Sequence, residues 1–136
     1  MHLKLICNPD ESKSMPYKIA RVVYAETGAT SLRVVEALTS MIQNCSYATG
    51  RTPMQIASDT EIFDALHKSS PRNAMLTVNA DDRGFQMCVR VATRMLHGFL
   101  PDCCNGATRF HHADDMPRWA TARGYIADID GLLFYL

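Results

Sequence analysis

Tyr125-Ile126-Ala127-Asp128-Ile129-Asp130-Gly131-Leu132-Leu133-Phe134-Tyr135-Leu136 is the stretch that decides the fold class. Two β-prone runs flank Asp130-Gly131, and Asp-Gly between such runs is a short-range hairpin signal. The segment predicts antiparallel arms over 125–129 and 132–136. Just upstream, residues 107–111 read as a further strand. Along it Thr108 and Phe110 share one face, and Arg109 and His111 share the other.

Everything before Pro101 has a different period. Pro16 suits the first position of a helix, with Ser14 or Met15 before it, and Gly28 is a natural stop. Between them lie Ile19, Ala20, Val22, Val23 and Tyr24. A second helix starts at Thr30 or Ser31 as N-cap, with Leu32, Val35, Leu38, Met41 or Ile42, and Cys45 at helical spacing. Thr52-Pro53 repeats the cap-then-proline signal and opens a short helix through Ala57, and Thr60 is placed as the cap of another turn or two through Leu66. Leu76-Thr77-Val78 is read as a short strand. The clearest helix carries Phe85, Cys88, Val89, Ala92, Met95 and Leu96 on one stripe and ends before Gly98. Helices first and a small antiparallel sheet last make an α+β fold, mainly helical.

A chain of 136 residues is long enough for one core, so residues 1–136 are read as a single domain with an irregular segment over 1–15. Fourteen basic and fourteen acidic residues cancel, which removes any global electrostatic case for nucleic acid or an anionic membrane as partner. No apolar run approaches the ~20 residues of a membrane span, and the apolar stretch within residues 1–9 is too short for a signal peptide. Synthesis in the cytoplasm is the resulting expectation. Five cysteines, an odd number without repeated spacing, read as reduced thiols. Cys103-Cys104, His111-His112 and Asp114-Asp115 cluster in sequence but lack the ligand spacing of a zinc site, so no metal is expected.

Glu26 is the residue most suggestive of chemistry. It ends an apolar helix, where the dipole disfavours an ionised carboxylate and apolar neighbours disfavour it further. Both effects suit a general acid. The bland alternative is a solvated glutamate on a helix end. For Thr108 and Phe110 the alternatives are a sugar-binding pair or ordinary sheet residues. For Trp119, the sole tryptophan, they are an aromatic face for a sugar ring or a cover over the sheet.

Taken in order, Tyr24-Ala25-Glu26, Val34 to Asn44, Met95-Leu96-His97-Gly98, Pro101-Asp102, Gly106-Ala107-Thr108-Arg109-Phe110-His111, Pro117-Arg118-Trp119-Ala120 and Phe134-Tyr135 resemble the catalytic domain of the SleB/CwlJ-type cell wall hydrolases. The likeness spans roughly residues 17–136. The chain departs from the family pattern at Cys45, where arginine is usual, and at Ile129-Asp130-Gly131-Leu132, which lacks the usual histidine.

The resemblance implies a lysozyme-like, lytic-transglycosylase-like fold. It also implies cleavage of peptidoglycan glycan strands between N-acetylmuramic acid and N-acetylglucosamine, with Glu26 as the catalytic carboxyl group. Tyr24, Thr108, Phe110, His111, Trp119 and Tyr135 become the substrate-binding residues. No cofactor is implied, the partner is the glycan strand, and the chain is expected to act as a monomer at the bacterial cell wall after export or lysis. A hydrolytic muramidase, with Asp114 or Asp115 as second acid, and a non-catalytic glycan-binding domain are the alternatives.

Overall fold

The computed structural model describes residues 14–136; most of the opening segment expected to be irregular, and Cys7 with it, lies outside the described residues. The fold is α+β, about half helical, with a small sheet near the C-terminus. Helices α1 (Met15–Thr27), α2 (Leu32–Thr49), α3 (Pro53–Ala57) and α4 (Arg83–Leu96) precede strands β1 (Arg109–His112), β2 (Ala127–Ile129) and β3 (Leu132–Tyr135). The strands lie in the order β1-β3-β2, both pairings antiparallel.

The helix boundaries follow from local chemistry. Ser31 Oγ accepts the Val34 N–H and caps α2, and Asp82 caps α4 through the Phe85 N–H. Thr52 and Gln55 form a reciprocal capping box on α3. Gly28 ends α1 at φ 65°, with its N–H on the Tyr24 carbonyl. Helix α1 packs against α2, α3 and α4 and is the centre of the core. Tyr17, Ile19, Leu38, Met41, Ile42 and Phe85 are all fully buried, and each such side chain contributes about 1.5–3 kcal/mol. Helix α4 comes close to the end of α1 because residue 84 has no side chain. A Cβ on Gly84 would lie 2.9 Å from the Ala29 Cβ and 3.3 Å from the Tyr24 ring.

Three expectations are corrected. Leu76-Thr77-Val78 is not a strand; Asn73–Thr77 is a 3-10 segment. Its geometry is locked by Arg21, whose Nη1 donates to the Leu76 and Val78 carbonyls at 3.0 and 2.9 Å and so occupies acceptors that a neighbouring strand would need. Thr60 caps no helix. The Asp59 side chain takes the Glu61 N–H instead, and the helical turn in the expected stretch is the 3-10 turn Asp64–Leu66. The strand expected over 107–111 is Arg109–His112, preceded by a bond from the Thr108 N–H to the Tyr135 carbonyl.

The hairpin forms where Asp-Gly predicts it, with shorter arms. Asp130 and Gly131 both take positive φ, 50° and 83°, as a two-residue turn between twisted strands requires. Asp130 also accepts the Ser31 hydroxyl at 2.5 Å, which ties the hairpin to the start of α2. The sheet is thereby held over the C-terminal end of α1.

Candidate active site

Glu26 lies on the last turn of α1, between the buried residues Ala25 and Thr27. Thr27 keeps that turn regular: its hydroxyl donates to the Val23 carbonyl, and its oxygen accepts the Ala29 N–H. The Glu26 side chain is fully buried. One carboxylate oxygen, Oε2, accepts the Ala65 N–H at 2.7 Å. The other, Oε1, lies 2.6 Å from His112 Nε2, across 86 residues of sequence. The carboxylate is therefore not the solvated end group of an ordinary helix terminus.

His112 reaches Glu26 by simple alternation. Thr108, Phe110 and His112 extend along one face of the strand, and Arg109 and His111 along the other. The Phe110 ring packs edge-on against the His112 ring at 5.7 Å and tilted against Phe63 at the same distance. Both faces of the strand contribute to a groove. A cavity of about 180 Å³ is bordered by Glu26, Asp64, His112 and Asp115, and one of about 510 Å³ by Arg51, Thr108 and Arg109. Glu61, Ile62, Phe110 and Trp119 border both, so the two cavities adjoin and together make up the groove.

The expected binding residues divide into three groups. Thr108, Phe110 and Trp119 line the groove. Trp119 is half-buried, with the Arg109 guanidinium 4.4 Å over its ring and the edge-on Tyr135 ring at 5.0 Å. It is a wall and a cover at once. His111 borders the narrow cavity, but both its ring nitrogens are spent within the protein. Its Nδ1 lies 2.7 Å from the His112 carbonyl and must donate to it, so in the neutral ring Nε2 accepts the Tyr135 hydroxyl at 2.8 Å.

Tyr135 pairs directly opposite Arg109, is buried against the His111 and Trp119 rings, and borders neither cavity. Tyr24 is also elsewhere. Two residues along a helix point roughly 160° apart, so while Glu26 faces the sheet, Tyr24 packs on Phe85 of α4 at 6.2 Å. Burial there raises the Tyr24 pKa, with Asp82 adding to the effect.

Two contributors were missed in the sequence. His112 was legible, since the alternation that pairs Thr108 with Phe110 extends to residue 112 and skips His111. Asp64 had no signal. It stands beside Ala65 on the 3-10 turn and borders the Glu26 cavity. The Ser70 hydroxyl and the Arg72 guanidinium hold its carboxyl below the usual range, against the opposing effect of burial. Asp115 borders the same cavity, whereas Asp114 does not.

Among the described residues no three His, Cys, Asp or Glu side chains converge as metal ligands, and no helix is long and apolar enough to cross a membrane. Searches against protein families, curated proteins and solved structures each find no match to this chain.

Proposed function

We propose that this chain cleaves peptidoglycan glycan strands, as a lytic transglycosylase in which Glu26 is the carboxyl group that gives and takes the proton. The observation that carries the reading is the position of Glu26. It is a buried carboxyl group at the end of a core helix, in direct contact with His112 of the small antiparallel sheet and bordering a cavity that Trp119 also lines. That position supports the lysozyme-like plan that the resemblance implies. Half-buried Trp119 borders both cavities and offers aromatic surface to a sugar ring, whereas Phe110 is buried among Phe63, His112 and Phe134.

In this reaction the acid protonates the oxygen between N-acetylmuramic acid and N-acetylglucosamine as that bond breaks. The base then takes the proton of the muramic C6 hydroxyl, whose oxygen closes a 1,6-anhydro ring. One carboxyl group serves both steps, in contrast to the two-carboxylate scheme of most glycosidases. The substrate's N-acetyl group stabilises the cationic centre in between.

A hydrolytic muramidase is the second reading, favoured by one observation: the Asp64 and Asp115 carboxylates border the same cavity as Glu26. Either would serve to activate water. Digestion of purified peptidoglycan, with mass analysis of the released fragments, separates the readings. Anhydro ends support the transglycosylase, reducing ends support the hydrolase, and binding without fragments removes both.

A further inference from the structure

A carboxyl group that transfers a proton to a substrate has to reach it, and Glu26, although it borders the narrow cavity, has no exposed side-chain surface. Its side chain is 0% exposed, whereas that of His112 is 12% exposed and borders the groove. Of the two partners, only the imidazole has exposed side-chain surface.

The two ring nitrogens of His112 are differently placed. Nε2 is engaged by Glu26. Nδ1 has no partner among the described residues, and it is not sealed in either: the one buried polar side-chain atom without a partner among them is Ser14 Oγ. One nitrogen thus meets the buried carboxyl group, and the other is left for solvent or ligand.

The ring is also held in place. Residue 112 pairs with Leu132 across β1 and β3, and its carbonyl accepts the His111 Nδ1–H at 2.7 Å. Phe110 packs on its edge. The titratable groups around the ring are Glu26 from α1, Asp64 from the 3-10 turn, His111 from β1, and Glu61, His67 and Asp115, which border the same cavity.

We propose that His112 is the group that exchanges the proton with the substrate, relaying it to and from Glu26. The proposal rests on the glycosidase reading above. At the outset Glu26 carries a proton bonded to Nε2, and Nδ1 carries its own hydrogen. As the glycosidic bond breaks, the Nδ1 proton goes to the leaving oxygen, which keeps the bonding electron pair. Nε2 takes the proton of Glu26, leaving a carboxylate and a ring protonated at Nε2 alone. The muramic C6 oxygen then bonds to the anomeric carbon, its proton passes to Nδ1, and the Nε2 proton returns to Glu26. Atoms and charge balance without a further reactant.

The test compares the full-length wild type with His112→Ala, His112→Gln and Glu26→Gln on purified peptidoglycan. It follows kcat, KM, the pH profile and the rescue of each variant by added imidazole. The relay predicts that His112→Ala loses ~10²–10⁴ in kcat. It further predicts a KM close to that of the wild type and an altered pH profile. Imidazole should restore turnover to His112→Ala and not to Glu26→Gln. His112→Gln keeps a polar partner for Glu26 but has no second nitrogen to pass a proton on, so it should be folded and inactive.

Turnover within about tenfold of wild type in either folded His112 variant would overturn the relay, since the loss of a general acid or base costs more than that. Glu26 would then act directly, and the glycosidase reading would stand. A wild type that binds glycan and releases no fragments overturns both.

Discussion

Glu26 Oε2 accepts the backbone N–H of Ala65 at 2.7 Å, joining the end of the first helix to a single 3-10 turn. The bond is buried, so it positions the carboxyl group and contributes to stability at once. Glutamine at position 26 retains an acceptor for Ala65 and a polar group for His112; alanine retains neither. Glu26→Gln should therefore fold with a melting temperature near that of the wild type and release no glycan fragments. Glu26→Ala should be destabilised as well, by ~1–3 kcal/mol for a buried donor left without a partner. Thermal melts beside the fragment assay check both halves. A Glu26→Gln variant within tenfold of wild-type activity would remove the carboxyl group from the chemistry.

Trp119 should report on both of its roles. Its edge-on contacts to Tyr135 and His111 and its cover over Arg109 predict a stability loss of ~1–2 kcal/mol in Trp119→Ala, since aromatic pairs are worth ~0.5–1.5 kcal/mol beyond their burial. Its place in both cavities predicts a loss of glycan retention in the protein that remains folded. Sedimentation with insoluble peptidoglycan measures the second effect. Normal retention by folded Trp119→Ala would make the residue a cover alone.

Thr108→Val isolates a hydroxyl. The backbone bond from residue 108 to the Tyr135 carbonyl is indifferent to the side chain, and the hydroxyl has no partner among the described residues. The fold should be unchanged. A substrate polar group left unpaired costs ~1–3 kcal/mol, a loss of about tenfold to a hundredfold in kcat/KM. Kinetics on a soluble glycan oligomer decide it, and unchanged efficiency would place Thr108 outside the contact zone.

The Arg51–Asp59 pair, 2.9 Å apart on the wall of the larger cavity, should make the groove acid-sensitive. The hydrogen bond from Arg51 holds the Asp59 carboxyl below its ordinary value of 3.8, helped by the Glu61 N–H. A carboxyl group whose pKa is depressed on folding contributes stability above its unfolded pKa and loses it as pH falls through the folded value. Asp59→Asn should therefore flatten the pH dependence of unfolding below about pH 4, and leave its slope between pH 5 and 8 unchanged. Urea melts across that range provide the measurement. An acid limb of unchanged slope would mean that the pair adds nothing.

Gly84→Ala should destabilise the protein although alanine favours helix by ~1 kcal/mol over glycine. The new methyl group would stand 2.9 Å from the Ala29 Cβ, which has no rotamer with which to retreat. Parting α1 from α4 should cost ~1–3 kcal/mol. Because Ala29 follows the turn that carries Glu26, glycan cleavage should fall along with stability. A more stable Gly84→Ala variant would show that the helices part freely.

The sequence by itself determined the local elements. Ser31, Thr52-Pro53 and Gly28 mark helix ends because each satisfies or terminates backbone hydrogen bonds within a few residues of itself. Asp130-Gly131 makes its turn for the same local reason. Strand alternation even held the answer at residue 112, since Thr108, Phe110 and His112 share a face wherever the strand is placed. Only the tertiary structure decided what that face meets. The Glu26–His112 contact joins residues 86 apart. It depends on the hairpin being tied to α2 through Asp130 and Ser31 and on α4 lying close to α1 over Gly84. The 3-10 turn that presents Ala65 and Asp64, and the burial of Tyr135 on the far side of the sheet, likewise follow from packing between distant segments. No periodicity or cap within a short window encodes such contacts, because their energy is shared among partners from every part of the chain.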